Sequence, residues 1–376
     1  MIQKIRNHLK NIKGWKTQRK IVVIAVDDYG NVRIDSKAAR MAMDKAGLKI
    51  YSRFDAYDTL ETREDLEMLF EVLNAVKDQK GQAAVFTPFA LPCNVDFEKM
   101  ASENYTQYRY ELLPETYAKL SDLQPNAYNG AWALWQEGIK NKWLQPEFHG
   151  REHFNLKVFQ EKLTHKDSEL RTALQHRSLT SISSSGYNSI GWTAAFSFWD
   201  PDNDTKAFSE ILHSGLTSFE KVYGYSAKVF TPPAQQLPES IEFELATFGI
   251  QALDKPFSHA KHLGFGQYKK SVNTIGFNKK TALVELVRNV VFEPTDNRGF
   301  DWVAYSLQQV EAAFFWNKPA IISTHRVNFC GHIDTENRTL GLKALHQLLV
   351  KIASKWPDVE FMTARELSDL ISETHD

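Results

Sequence analysis

Cysteine is scarce in this chain: Cys93 and Cys330 are the only two in 376 residues. Two isolated thiols exclude a disulfide-built scaffold, and without a CxxC pair they exclude a zinc ribbon or a dithiol redox site. No run of eighteen apolar residues occurs, so hydropathy offers no membrane-spanning helix. The N-terminus lacks the continuous apolar segment of a secretory signal, and the expected location is the cytoplasm. A GxSxG elbow, a Walker A loop and a GxGxxG turn are all missing, which removes the usual signatures of serine hydrolases, P-loop enzymes and dinucleotide binders. Acid is missing from the first twenty residues, which carry seven Lys and Arg. Setting those seven aside leaves 38 basic against 46 acidic residues, so the body is acidic and nucleic acid is not an expected partner.

What is present starts at the basic end. Ile2, Ile5, Leu9, Ile12 and Trp15 recur at helical spacing with Lys and Arg between them. Residues 1–20 therefore read as a basic amphipathic helix. It either packs on the body with its charges in water or lies on an anionic membrane, in peripheral contact with the inner face.

From residue 21 strands and helices alternate. "KIVVIAVDD" (20–28) is a buried strand by its unbroken β-branched run. Residues 33–47 read as a helix capped at Asp35 or Ser36, and 62–81 as an amphipathic helix stopped by Gly81. "AAVFTPF" (83–89), "AKVFTPP" (227–233), "GIQALDKP" (249–256), "KPAIISTH" (318–325) and "VEFMTAREL" (359–367) are further short apolar runs. Helical stretches at 239–249 and 340–356 separate the later ones. Such alternation predicts a parallel sheet, open or closed into a barrel, with chemistry at the C-terminal strand ends. Residues 90–147, rich in Tyr and Trp, and 154–225 interrupt the pattern. They read as insertions over that face within one domain spanning 21–370.

The first strand ends in adjacent carboxylates, Asp27 and Asp28, whose mutual repulsion needs a cation or a purpose. "HGREH" supplies His149 and His153, an i, i+4 imidazole pair compatible with a helix face or with a strand-end loop. Asp28 offers the third ligand that a metal site with an open position requires, leaving Asp27 free as a base. His325 follows the strand "AIIST" and titrates near neutrality, as a general acid should. Unpaired, each motif is equally a turn, a cap or a hydrogen-bonded strand end.

Taken in order, these motifs resemble the polysaccharide deacetylase family, carbohydrate esterase family four, with its NodB homology domain. The family's "TFDDG" stands here as "AVDDYG", its "ATFFV" as "AAVFTPF", and its H-[ST]-x-x-H as "HGREH". Its "RPPY" stands as "TPPA" (231–234), its Leu-x-His as "STH" ending at His325, and its closing strand as "VEFMTAREL". The resemblance implies an irregular (β/α) barrel of about seven parallel strands with long insertions over the C-terminal face. It implies Asp28, His149 and His153 as ligands of a divalent metal, with Zn²⁺ the favoured ion, and Asp27 as the base toward water. It further implies the Ala234 N–H as oxyanion donor, His325 as the acid, and Pro232, Pro233 and Asp254 on the substrate side, Asp254 orienting His325. The expected reaction is metal-dependent removal of acetyl groups from an acetylated carbohydrate; the aromatics at 90–147 are candidate sugar platforms, though packing the insertion onto the barrel is the expected fate of most of them. Thr231 stands where the family has the arginine that braces the catalytic Asp, and Arg326 or Lys255 is the candidate replacement. That substitution keeps a second expectation open, a non-catalytic glycan-binding protein; a third is hydrolysis of a different C–N bond.

Overall fold

The computed structural model describes residues 2–187 and 190–374, with the side chains of Ile2 and Gln3 outside that description. Fourteen strands occur among these residues. In chain order they are β1 Lys20–Tyr29, β2 Phe86–Ala90, β3 Cys93–Val95, β4 Tyr110–Leu112, β5 Glu147–Phe148, β6 Val229–Phe230 and β7 Ala252–Pro256. Then come β8 Ser258–Gly264, β9 Gln267–Val272, β10 Gly276–Asn278, β11 Leu283–Arg288, β12 Val290–Val291, β13 Ala320–His325 and β14 Val359–Met362.

Ten of them form one sheet in the order β10-β11-β7-β6-β5-β2-β1-β13-β12, with β14 paired to β1 off that path. Every ladder in it is parallel except β10–β11. β1 is the central strand and is buried over nine of its ten residues. One side pairs with β13, from Val22↔Ala320 to Asp27↔His325. The other side meets β14 over Lys20–Val23 and then β2 from Ile24 onward. A strand enclosed in this way needs apolar side chains on both faces, which is why it reads as an unbroken run. The side chains divide accordingly: Val22, Ile24 and Val26 belong to one apolar cluster, and Ile21, Val23 and Ala25 to the other.

The expectation of about seven parallel strands closed into a barrel is corrected in two respects. The sheet holds ten strands, and no ladder joins β10 to β12, so it is an open, barrel-like layer. Its strands at the β5 and β6 positions are two residues long, too short to sustain a regular closed ring. The edges approach where the chain passes from β11 to β12, and there the Asn289 N–H donates to the Ile321 carbonyl at 3.2 Å.

Local structure departs from the sequence expectation at boundaries. The helix expected over 62–81 runs only Arg63–Ala75, opened by a Thr62–Asp65 capping box. Beyond it Lys77 bridges Ala83 around the turn Asp78–Gly81, so Gly81 closes a turn and not a helix. The first helix after β1 is Lys37–Lys45, capped by Ser36, whose hydroxyl accepts from the Ala39 N–H. "VEFMTAREL" divides at Thr363, a second capping box, into β14 and the helix Ala364–Glu373. The run 283–291 and the helix Trp302–Phe315 have no counterpart in the sequence reading. Among the described residues no helix is long and apolar enough to cross a membrane.

Candidate active site

The ends of the parallel strands converge on a cavity of about 530 Å³. Asp27 and Asp28 both line it, although neighbours on a strand ordinarily face opposite ways. The β1–β2 register shifts between Val26 and Tyr29, and Asp28 has φ 76°. This bulge swings Asp28 round so that both carboxylates serve one face, and the left-handed backbone there is local strain.

Asp28 meets the histidine pair. Its Oδ1 lies 2.8 Å from His153 Nε2 and 3.7 Å from His149 Nε2. One donor atom from each of the three residues falls within 4.8 Å of the others. The segment His149–His153 is a loop beyond β5, so the strand-end alternative holds and the helical one does not. Gly150, at φ 108°, makes the turn, and a Cβ there would stand 3.1 Å from the Glu152 carbonyl. His149 Nδ1–H donates to the Thr231 carbonyl at 2.7 Å. That bond directs the Nε2 lone pair inward, where it is buried without a protein partner. A buried imidazole nitrogen aimed at a carboxylate and a second imidazole fits a cation, because both the orphaned acceptor and the crowded carboxylate are then satisfied.

Asp27 is held by Arg288. Its Oδ2 accepts from one guanidinium nitrogen at 2.7 Å and its Oδ1 from the other at 2.6 Å. Arg288 Nε also donates to Asp254 Oδ2 at 2.5 Å, and Thr231 Oγ1 donates to the same oxygen at 2.9 Å. Burial pushes the Asp27 carboxyl up, but the charge and hydrogen bonds of Arg288 outweigh it and hold the group below the usual range. Asp28 falls well below that range as Arg33 and His153 overcome its burial. Asp254 goes the other way: burial, with repulsion from Asp27, raises it to about 6 despite Arg288.

His325 ends β13 opposite Asp27. Its Nε2 lies 3.8 Å from Asp27 Oδ2, and its Nδ1 is 2.7 Å from Glu293 Oε1. Desolvation alone would lower the imidazole; the charge and hydrogen bond of Glu293, helped by Asp27 and Asp28, raise it to about 9. Glu293 is held in turn by Arg53 and by Asn328 Nδ2 at 2.8 Å. Pro232 and Ala234 line the cavity, with Ala234 at φ 54°. Pro233 lies behind them, buried against Gly150.

Two expectations are corrected, and one open alternative is decided. Neither Arg326 nor Lys255 replaces the missing arginine. Arg326 pairs with Asp58 and Glu61, both at 2.9 Å, and Lys255 with Glu242 and Glu285. The guanidinium comes from Arg288 on β11. Asp254 does not orient His325; it braces Arg288 from below, 1% exposed, and Glu293 holds the imidazole. The aromatics of 90–147 do not line the cavity among the described residues; Tyr117, Tyr128 and Trp135 are buried in the core. The cavity's own rings are Tyr51, Phe54 and Trp192. The second insertion does supply a wall, through Leu179–Ser184 and Gly191–Thr193, while its Asn188 and Ser189 lie outside the described residues. Arg288 and Glu293 had a weaker signal: "LVELVRNVVFE" is Val-rich and closes on a carboxylate as β1 does, but Glu285, Arg288 and Asn289 interrupt it.

No protein-family model matches the chain, and no curated protein does. Solved structures align over most of its length at low identity. A protein from Mycobacterium smegmatis, provisionally assigned as a polysaccharide deacetylase, is 13% identical over 96% of this chain and 94% of its own, with a TM-score of 0.44. A GH57 branching enzyme from Thermococcus kodakaraensis is 11% identical over 94% and 71%, at 0.46. A peptidoglycan deacetylase from Bacillus subtilis is 10% identical over 95% and 93%, at 0.35. Scores below 0.5 leave both fold and chemistry to rest on this chain's own residues.

Proposed function

We propose that the chain is a metal-dependent hydrolase that removes acetyl groups from an acetylated carbohydrate. The observation that carries the reading is the pairing of Asp27 with His325 beside the Asp28–His149–His153 set. The two groups face one cavity with opposite protonation preferences, each enforced by its own buried partner. Environments that push two neighbouring titratable groups apart are how acid and base roles are assigned in one site.

Asp28, His149 and His153 would hold the cation, Zn²⁺ being suited to two imidazoles and a carboxylate. When bound, it supplies Lewis-acid polarisation of the acetyl carbonyl and lowers the pKa of water. Asp27, anionic through Arg288, accepts a proton from the attacking water. Arg288 also fixes the carboxylate plane, since a two-pronged guanidinium bond sets orientation as well as charge. The Ala234 N–H, on the cavity wall, would donate to the developing oxyanion. His325, protonated through Glu293, gives its proton to the departing sugar nitrogen or oxygen. Tyr51, 58% exposed at the cavity wall, offers an apolar face to a sugar ring, whereas Phe54 is covered by the Arg33 and Arg53 guanidinia and Trp192 is stacked on Phe154.

The glycan-binding alternative rested on the lack of a bracing arginine, and Arg288 removes that ground. The test is acetate release from a panel of N- and O-acetylated sugars with non-sugar amides as controls, alongside metal content of wild type and His149→Ala. Expected are about one divalent ion per chain, lost with the histidine, and acetate from a sugar. Turnover only of non-sugar amides would reassign the substrate. Bound metal without turnover of any substrate would reject the enzyme, and absence of metal would reject the centre.

A further inference from the structure

The N-terminal helix, Ile2–Leu9, and the turn after it lie on the helix Trp302–Phe315 with their polar residues inward. Asn7 and Asn11 are 3% and 2% exposed. Asn289 Nδ2 donates to Asn11 Oδ1 at 2.8 Å, and Lys10 Nζ donates to Gln309 Oε1 at 2.9 Å. The Trp316 indole N–H donates to His8 Nδ1 at 3.1 Å. Three apolar residues of this segment point away from the body, while Trp15 packs against its second apolar cluster. Ile5 is 52% exposed, Leu9 57%, Ile12 39%, and Phe315, edge-on to the His8 ring, 68%.

An amphipathic helix on a globular body normally does the reverse, because apolar area left in water forgoes the gain from burial. Here the polar side is committed to specific hydrogen bonds, so the apolar ridge is not spare core surface. Lys4, Arg6, Lys13 and Lys16 interleave with it and are exposed, and no acid occurs among the first twenty residues. A second copy of the chain would bring two such basic faces together, which like-charge repulsion disfavours.

We propose that this face docks on an anionic lipid surface. Ile5, Leu9, Ile12 and Phe315 enter the boundary between headgroups and acyl chains, and the four cations meet lipid phosphates. The inference is independent of the chemistry in the cavity, since binding is read without turnover.

The test uses the full chain in sedimentation with vesicles of phosphatidylglycerol and phosphatidylcholine, and with phosphatidylcholine alone. Binding is expected with the anionic vesicles and is expected to weaken as salt rises. The triple variant Ile5→Ser/Leu9→Ser/Ile12→Ser should bind at least about tenfold more weakly. Because Cys93 and Cys330 are 3% and 2% exposed, Leu9→Cys can be labelled selectively with an environment-sensitive dye. Its emission should shift to the blue on adding anionic vesicles, a readout that requires no destabilising change. Wild type that stays in the supernatant, a triple variant that binds equally, or a dye that does not respond would each overturn the proposal. A concentration-dependent dimer dissolved by the triple variant, without vesicle binding, would overturn it in favour of a second copy.

Discussion

Arg288→Gln is the perturbation with the most consequences. Arg288 is buried at the junction of β11 and β12 and compensates two carboxylates, Asp27 through two bonds and Asp254 through one. Replacing it leaves two buried acids about one guanidinium apart with no cation between them. Breaking a buried ion pair from one side costs about 3–5 kcal/mol, and two acids share this partner. Proton uptake offsets part of that cost. Asp254, already near 6 with Arg288 in place, becomes neutral at pH 7, and Asp27 rises from below its ordinary value. The sign follows from linkage: a depressed carboxyl stabilises the fold above its unfolded pKa and loses that contribution as pH falls, so the variant loses it at neutral pH. A base that is partly protonated and free to rotate should lose about 10²–10⁴ in kcat/KM, the range that general base catalysis contributes. The acidic limb of the pH–rate profile should also move up by more than about one unit, consistent with a lost charge partner. The assays are urea denaturation at pH 7 and acetate release from pH 4 to 9. Arg288→Lys keeps the charge without the fork, so it should recover most of the stability but little of the rate. Wild-type stability together with an unmoved acidic limb in Arg288→Gln would refute the reasoning.

Two further outcomes test other parts of the molecule. Glu293→Gln should move the alkaline limb of the same profile down from about 9, because His325 would keep its burial and lose the carboxylate that raises it; an unchanged limb would separate His325 from the acid role. Glu360 accepts from Arg19 at 2.7 and 2.8 Å and from Lys80 at 2.5 Å, and these bonds bring its pKa down to about 2. Its stabilisation is present above about pH 4.5 and lost as pH falls toward 2. The melting temperatures of wild type and Glu360→Gln should therefore differ at pH 7, draw together below about pH 4.5 and converge only at about pH 2 and below, and a constant difference would refute the assignment.

Much of the sheet could be read in the chain, since β1 is an unbroken apolar run and β2, β7, β13 and β14 each carry a short apolar stretch with turn or helix signals nearby. Helix ends were less legible. The stretch 62–81 keeps a helical pattern past Ala75, and only the bridge of Lys77 to Ala83 ends the helix there. The strand β11 was harder to see, because Glu285 and Arg288 interrupt its apolar residues where β1 has six in a row.

The inventory of chemistry is written in the sequence alone: the adjacent carboxylates near the end of β1, the two imidazoles about Gly150, and the histidine that ends β13. Short-range pattern is enough for these, because strand ends and turns are written in neighbouring residues. Tertiary structure alone decided the partners. Arg288 lies 261 positions from Asp27, and Glu293 lies 32 from His325. Which cation or carboxylate reaches a buried group depends on how the sheet brings strand ends together. Thr231 shows the difference: its place in "TPPA" suggested a vacancy, and the fold fills it from another strand. The inward Asn7 and Asn11 show it again, since helical spacing defines two faces and only packing decides which one meets the body.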